Sequence, residues 1–165
     1  MASELHSAMS DAAAAAIEAA ARTLEIEAEG LAALRGLLND GLGAPFAKAV
    51  DLLRGAKGRV IVTGIGKSGH IGQKIAATFA STGTPSFFVH PSEAAHGDLG
   101  MIMRDDAILA LSWSGETVEL TGIITYSRRF AVPLIAITAG GNSALGRAAD
   151  VVLELPRAKE ACPHG

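Results

Sequence analysis

Two kinds of apolar pattern divide this chain. From Ala12 to Leu38 the apolar positions recur by threes, fours and sevens. Ile17, Leu24, Leu31, Leu34 and Leu38 form a stripe, and Glu18, Arg22, Glu25 and Glu29 lie opposite it. That period predicts one long helix, capped at Ser10 or Asp11, with residues 1–9 frayed ahead of it. Gly30 and Gly36 weaken such a helix without forbidding it. Asn39-Asp-Gly-Leu-Gly43 ends it, and a second helix is expected over Pro45 to Arg54. A helix this long ahead of a compact domain reads as a packing arm over residues 1–40, set against its own domain or a second subunit.

From Arg59 onward the pattern changes. Continuous runs rich in Val, Ile and Leu predict strands near 59–63, 85–89, 107–111, 133–138 and 151–155. Helices are expected near 68–81, 116–130 and 143–148. Strands that are apolar at every position are buried on both faces, which means a parallel sheet with helices on each side. The fold class is therefore α/β: a doubly wound, flavodoxin-like five-stranded parallel sheet over residues 41–165, preceded by the helical arm.

Composition narrows the partners. With 165 residues, 49% of them hydrophobic, the chain can bury one ordinary core. The net charge of -3 lacks the basic footprint of a nucleic-acid binder, so no nucleic acid is expected. The Ala-rich run from Ala12 to Ala21 contains Glu18 and lacks a basic start, which argues against a signal peptide. Glu18, Arg22 and Glu25 also break any stretch of the roughly 20 apolar residues that a membrane span needs. The single cysteine, Cys162, excludes an internal disulfide framework and suits a reducing compartment, so a cytoplasmic location is expected.

Three loops carry the candidate chemistry, each following a predicted strand. The first, Gly64-Ile-Gly-Lys-Ser-Gly69, fits the dinucleotide pattern G-x-G-x-x-G. That pattern also wants an acid at the end of the next strand, which here reads Phe87-Phe-Val-His-Pro91, with Glu93 the nearest acid. A P-loop reading fails because Ile61 stands where its first glycine belongs. A phosphate site using Ser68 and Lys67 remains, beside the plainer reading of a tight strand-to-helix turn. The second loop, Ser112-Trp-Ser-Gly-Glu-Thr117, offers three hydroxyls at the start of a helix. A dianionic phosphate takes many such hydrogen bonds, whereas an ordinary helix cap explains only one of them. In a flavodoxin-like order the first and third strands are neighbours, so these two loops would line one crevice.

The third loop, His90 to Gly100, holds two histidines and two carboxylates. It matches no trusted zinc spacing, so no metal is assigned, and acid–base work by His96 with Asp98 as its orienter is the preferred reading. Bracing the loop is the alternative for either histidine. Glu116 and Glu119 begin the next helix, where acids commonly complement the dipole.

Together these loops resemble the sugar isomerase (SIS) domain family. Three longer runs, Ala76 to Pro91, Glu93 to Met101 and Lys159-Glu-Ala-Cys-Pro163, resemble the D-arabinose-5-phosphate isomerases. The resemblance covers about residues 10–165. It implies interconversion of D-ribulose 5-phosphate and D-arabinose 5-phosphate through an enediol, without an organic cofactor, toward 3-deoxy-D-manno-octulosonate and lipopolysaccharide. Ser68, Ser112, Ser114 and Thr117 would hold the phosphate, and Lys67, His96, Glu119 and Glu160 would surround the reacting carbons. The resemblance does not choose the base among them. It implies a homo-oligomer, dimer or tetramer, with shared active sites. It also implies further sequence after Gly165, with the rest of the SIS domain and usually two CBS domains, so a truncated domain is expected. Trp113 departs from the small polar residue expected between the two serines. A sugar-phosphate sensor that binds without turnover is the rival reading, weakened by the lack of a basic helix-turn-helix at the N-terminus.

Overall fold

The computed structural model describes residues 2–162, with side chains from Asp11 onward. The chain divides into two compact units: the first 37 residues with the segment after Leu155, and Leu38–Leu155.

The first unit is built on helix α1, Ala2–Asn39. It starts well before the expected cap at Ser10 or Asp11. Residues 2–9 contain no Gly or Pro and include Ala, Glu, Leu and Met, all good helix formers, so nothing local stops the helix there. Gly30 faces the returning segment, where a Cβ in its place would meet the Ala158 side chain at 3.5 Å. Ile17, Leu24, Leu31 and Leu38 all stay exposed.

The second unit begins with α2 (Gly43–Gly55) and continues through β1 (Val60–Gly64), α3 (Gly66–Ser81), β2 (Ser86–Val89), α4 (Pro91–Ala95), β3 (Ala107–Leu111), α5 (Thr121–Phe130), β4 (Leu134–Thr138), α6 (Ala144–Ala148) and β5 (Val151–Glu154). Short 3-10 turns occupy Asp98–Met101 and Val118–Leu120. The five strands are all parallel, in the order β2-β1-β3-β4-β5. This is the flavodoxin-like order that the strand pattern predicts.

The strands explain their own composition. Ile61, Ile108, Ala110, Leu134 and Ala136 turn to one face, against Ala94 of α4, Ile123 of α5 and Leu145 of α6. Their alternates Val60, Val62, Leu109, Leu111 and Ile135 turn to the other, against Ala49 of α2 and Ala76 of α3. The inner strands β1, β3 and β4 are buried along nearly their whole length, so their positions are apolar apart from Thr63, Gly64 and Thr138. Gly69 and Gly72 let α3 lie close on the sheet. A Cβ on Gly72 would stand 3.0 Å from the Phe88 ring, and one on Gly69 2.8 Å from the Gly64 carbonyl oxygen.

The amino end of the sheet is latched by two aspartates. Asp106, buried, accepts hydrogen bonds from the Arg59 N–H (2.7 Å), its guanidinium (3.0 Å) and the Met103 N–H (2.8 Å). Asp150 accepts from Arg128 (2.7 Å) and from the Leu134 N–H (2.8 Å). The opposite, carboxyl end is where the three candidate loops emerge.

Candidate functional site

The carboxyl ends of β1 and β3 are bound side by side, with Gly64 in register with Leu111. A Cβ on Gly64 would lie 3.0 Å from the Leu111 carbonyl oxygen and 3.1 Å from the Ser68 carbonyl. Glycine at 64 therefore lets the first turn of α3 close onto the end of β3. The first and second loops emerge side by side at the carboxyl end of the sheet, as the neighbouring of their strands requires.

Helix α3 begins two residues earlier than its sequence pattern indicates. Ile65 is extended, Gly66 has φ +57°, and the helix is under way by Lys67. Lys67 and Ser68 thus sit in the first helical turn and not in a loop ahead of it. The first intrahelical bond runs from the Gly69 N–H to the Ile65 carbonyl (3.2 Å), and no side chain caps this end. The N–H groups of Gly66, Lys67 and Ser68 precede that bond, at the positive end of a 16-residue helix. An uncapped end of this kind leaves donors that suit an anion. Lys67 is exposed beside it and Ser68 is half-buried.

The second loop is a braced turn. The Gly115 N–H donates to both the carbonyl (3.2 Å) and the Oγ (3.0 Å) of Ser112, which is buried. Ser112 Oγ also lies 2.7 Å from Thr117 Oγ1. Ser114 Oγ accepts from the Glu116 N–H at 3.2 Å. The three hydroxyls of this turn are thus gathered, but they are not equivalent. Within the Ser112–Thr117 pair one proton is spent on the partner, leaving one to donate outward. Ser114 keeps its own proton free, because it serves the turn only as an acceptor.

Neighbouring elements fix the turn. Gly115 has φ +68°, and a Cβ there would stand 1.8 Å from Ser143 Oγ, so only glycine fits. Its carbonyl accepts from the Leu145 N–H (3.0 Å), and the Trp113 carbonyl accepts from the Ala139 N–H (2.9 Å) and Thr138 Oγ1 (3.2 Å). The α-helix expected from residue 116 begins only at Thr121. Glu116 turns away, its carboxylate accepting the Ala144 N–H at 2.9 Å, and Thr117 is extended ahead of the 3-10 turn. Glu119 lies exposed in that turn. The sequence pattern does not show the bracing by Glu116 and Thr138. A hydroxyl or acid on a neighbouring loop carries no local sequence signal for a contact that only the β3–β4 pairing creates.

The third loop contains α4. His90 is its N-cap, with Nδ1 accepting from the Ser92 N–H at 3.3 Å, which is the bracing role. His96 is its C-cap through the backbone, and its imidazole is exposed. Among the described residues Asp98 makes no hydrogen bond to His96, so the expected orienting contact is not formed. Glu160 belongs to the unit containing α1 and is exposed. No group of three His, Cys, Asp or Glu side chains among the described residues is placed to hold a metal ion.

Comparison with known proteins bears on this geometry. Residues 52–164 match the SIS domain. The chain is 54% identical over 148 residues to arabinose 5-phosphate isomerase KdsD of Shigella flexneri, covering 90% of this chain and 44% of that protein. It is 50% identical over 147 residues to the KdsD of Pseudomonas aeruginosa, covering 89% and 44%. The chain thus spans under half the length of these curated relatives. Among solved structures, a protein of E. coli CFT073 in complex with arabinose 5-phosphate superposes with a TM-score of 0.82 at 39% identity, over 92% of this chain and 79% of that one.

Proposed function

The chain belongs to the SIS domain family, and on that premise we propose that it interconverts D-arabinose 5-phosphate and D-ribulose 5-phosphate. The observation that carries this reading is the 50–54% identity to arabinose 5-phosphate isomerases across about 90% of this chain. The crevice supplies a consistent chemistry. The uncapped end of α3 and the free hydroxyl protons of Ser68, Ser114 and the Ser112–Thr117 pair receive the phosphate.

The reaction is a proton relocation with no net oxidation. A base removes the proton on C2 of the aldose while an acid protonates the C1 oxygen, giving the enediol. The C2 hydroxyl then loses its proton, and C1 gains one, to give the ketose. Lys67, His96, Glu119 and Glu160 are the groups assigned to these transfers and to the charge of the enediolate, with no organic cofactor. The assignment of Glu160 rests on the resemblance of Lys159-Glu-Ala-Cys-Pro163 alone.

The same reading assigns residues 1–40 as a packing arm and 41–165 as the phosphosugar-binding domain, within a homo-oligomer, dimer or tetramer. No described helix is long and apolar enough to cross a membrane. A cytoplasmic location suits the pentose phosphates, whose product would feed 3-deoxy-D-manno-octulosonate and lipopolysaccharide synthesis. The decisive experiment supplies D-arabinose 5-phosphate and measures ketose formation, beside calorimetric binding. Turnover supports the isomerase. Binding with no turnover by this chain or a longer natural form would mean a sensor, and no binding would sink both readings.

A further inference from the structure

Trp113 stands out among the residues of the crevice. It is the sole tryptophan of the chain, and it sits between the two serines of the phosphate-type turn. Its residue is 51% exposed, although an indole carries enough apolar surface to be largely buried in most proteins. Among the described residues no other aromatic ring or cation packs on it.

The exposure is not looseness of the loop. The Trp113 carbonyl is held by two donors, the Ala139 N–H and Thr138 Oγ1. The next two residues are held as well, through Ser114 Oγ and the Gly115 N–H. A bond from the Gly115 N–H to the Ser112 carbonyl closes the turn, which puts Trp113 and Ser114 at its corners. This turn follows Leu111, whose carbonyl oxygen approaches Gly64 together with the carbonyl of Ser68. Trp113 therefore stands at a fixed corner of the turn, between Ser112 and Ser114, with its side chain exposed.

From this placement we infer that Trp113 is a specificity-determining residue: its indole stacks on the C–H face of the sugar and separates a phosphosugar from bare phosphate. The inference rests on the isomerase reading above for the identity of the sugar. A phosphate anchored at Ser68 and Ser114 leaves the carbon chain to run out along the crevice rim. Sugar hydroxyls point outward from the ring edge, while the C–H bonds on one face are weakly positive. The negative face of an indole complements such a surface. Hydroxyls and N–H groups alone would hold inorganic phosphate as well as a phosphosugar.

The lone indole makes its own reporter. Tryptophan emission of the native chain should change on titration with D-arabinose 5-phosphate and stay nearly constant with inorganic phosphate. By calorimetry, Trp113→Asn should weaken D-arabinose 5-phosphate about threefold to tenfold and shift inorganic phosphate by less than about twofold. Trp113→Phe should restore most of the loss. Because the residue is exposed, both variants should keep the native circular dichroism. Equal binding of the phosphosugar by native chain and Trp113→Asn would overturn this inference alone. So would emission that responds to protein concentration in the absence of ligand, since that places the indole at a contact between copies. Failure of the native chain to bind the phosphosugar at all would sink the substrate reading, and this inference with it.

Discussion

Ser114 and Ser112 differ by two positions, yet their hydroxyls do different work. Ser112 braces the turn through Gly115 and Thr117, while Ser114 accepts one N–H and donates to nothing within the turn. Ser114→Ala should remove one hydrogen bond to a charged group, worth roughly 1.5–3 kcal/mol. That is about a tenfold to hundredfold loss of phosphosugar affinity, and calorimetry showing none would misplace the phosphate. His96 belongs to a different experiment, because it is exposed at the end of α4 with its imidazole uncommitted. His96→Asn should lower kcat by about 10²–10⁴-fold with KM within a few fold. Parallel losses in both would make it a binding residue, and unchanged kinetics a loop brace like His90. The sequence displays the hydroxyls of the second loop and the histidines of the third. It does not display which hydroxyl is spent on the turn, because that depends on a 2.7 Å contact between residues five apart.

At the scale of elements, the strands are legible because burial on both faces leaves mostly apolar residues, and each predicted strand lies within a residue or so of its observed place. Helix starts are less legible. α1 begins early because nothing between Ala2 and Ser10 stops it, and α5 begins late because Glu116 is drawn to the Ala144 N–H. The latches at the amino end of the sheet are also invisible in sequence, since they join residues 47 and 16 positions apart. They carry a pH dependence. Burial raises the Asp106 carboxyl, but hydrogen bonds from the Arg59 side chain, Met103 and the Arg59 backbone, with the guanidinium charge, bring it below its ordinary value of 3.8. Asp150 is lowered by the Arg128 hydrogen bonds, against the opposing effect of burial. Folded pKa values below the unfolded ones mean that the unfolded chain takes up protons first. The stabilisation is therefore complete above the ordinary aspartate value and is lost as pH falls below it. Urea denaturation should give a flat midpoint near neutrality and a decline below about pH 4. Asp150→Asn should lower the neutral plateau and flatten the acid decline, whereas an unchanged slope would mean that Asp150 does not contribute to it.

At the scale of the whole molecule, α1 carries a row of exposed apolar side chains. Ile17, Leu24 and Leu31 are each about 70% exposed, and with Leu38 they fall seven residues apart. A straight helix drifts by about 20° over each such interval, so a strict sevenfold row stays against a partner only if the two helices coil left-handedly. A surface helix of an ordinary domain turns such a row inward, and here the four side chains face out. Glu18, Arg22, Glu25 and Glu29 lie on another side of the helix, while Glu27 and Arg35 flank the row. The chain should therefore associate through α1, and light scattering at micromolar concentration should find at least a dimer. The double substitution Leu24→Glu with Leu31→Glu should reduce the particle mass and leave helix content nearly unchanged, since glutamate is as good a helix former as leucine. Native chain that remains monomeric would remove the argument for an arm. A variant that associates undiminished would move the interface away from this row.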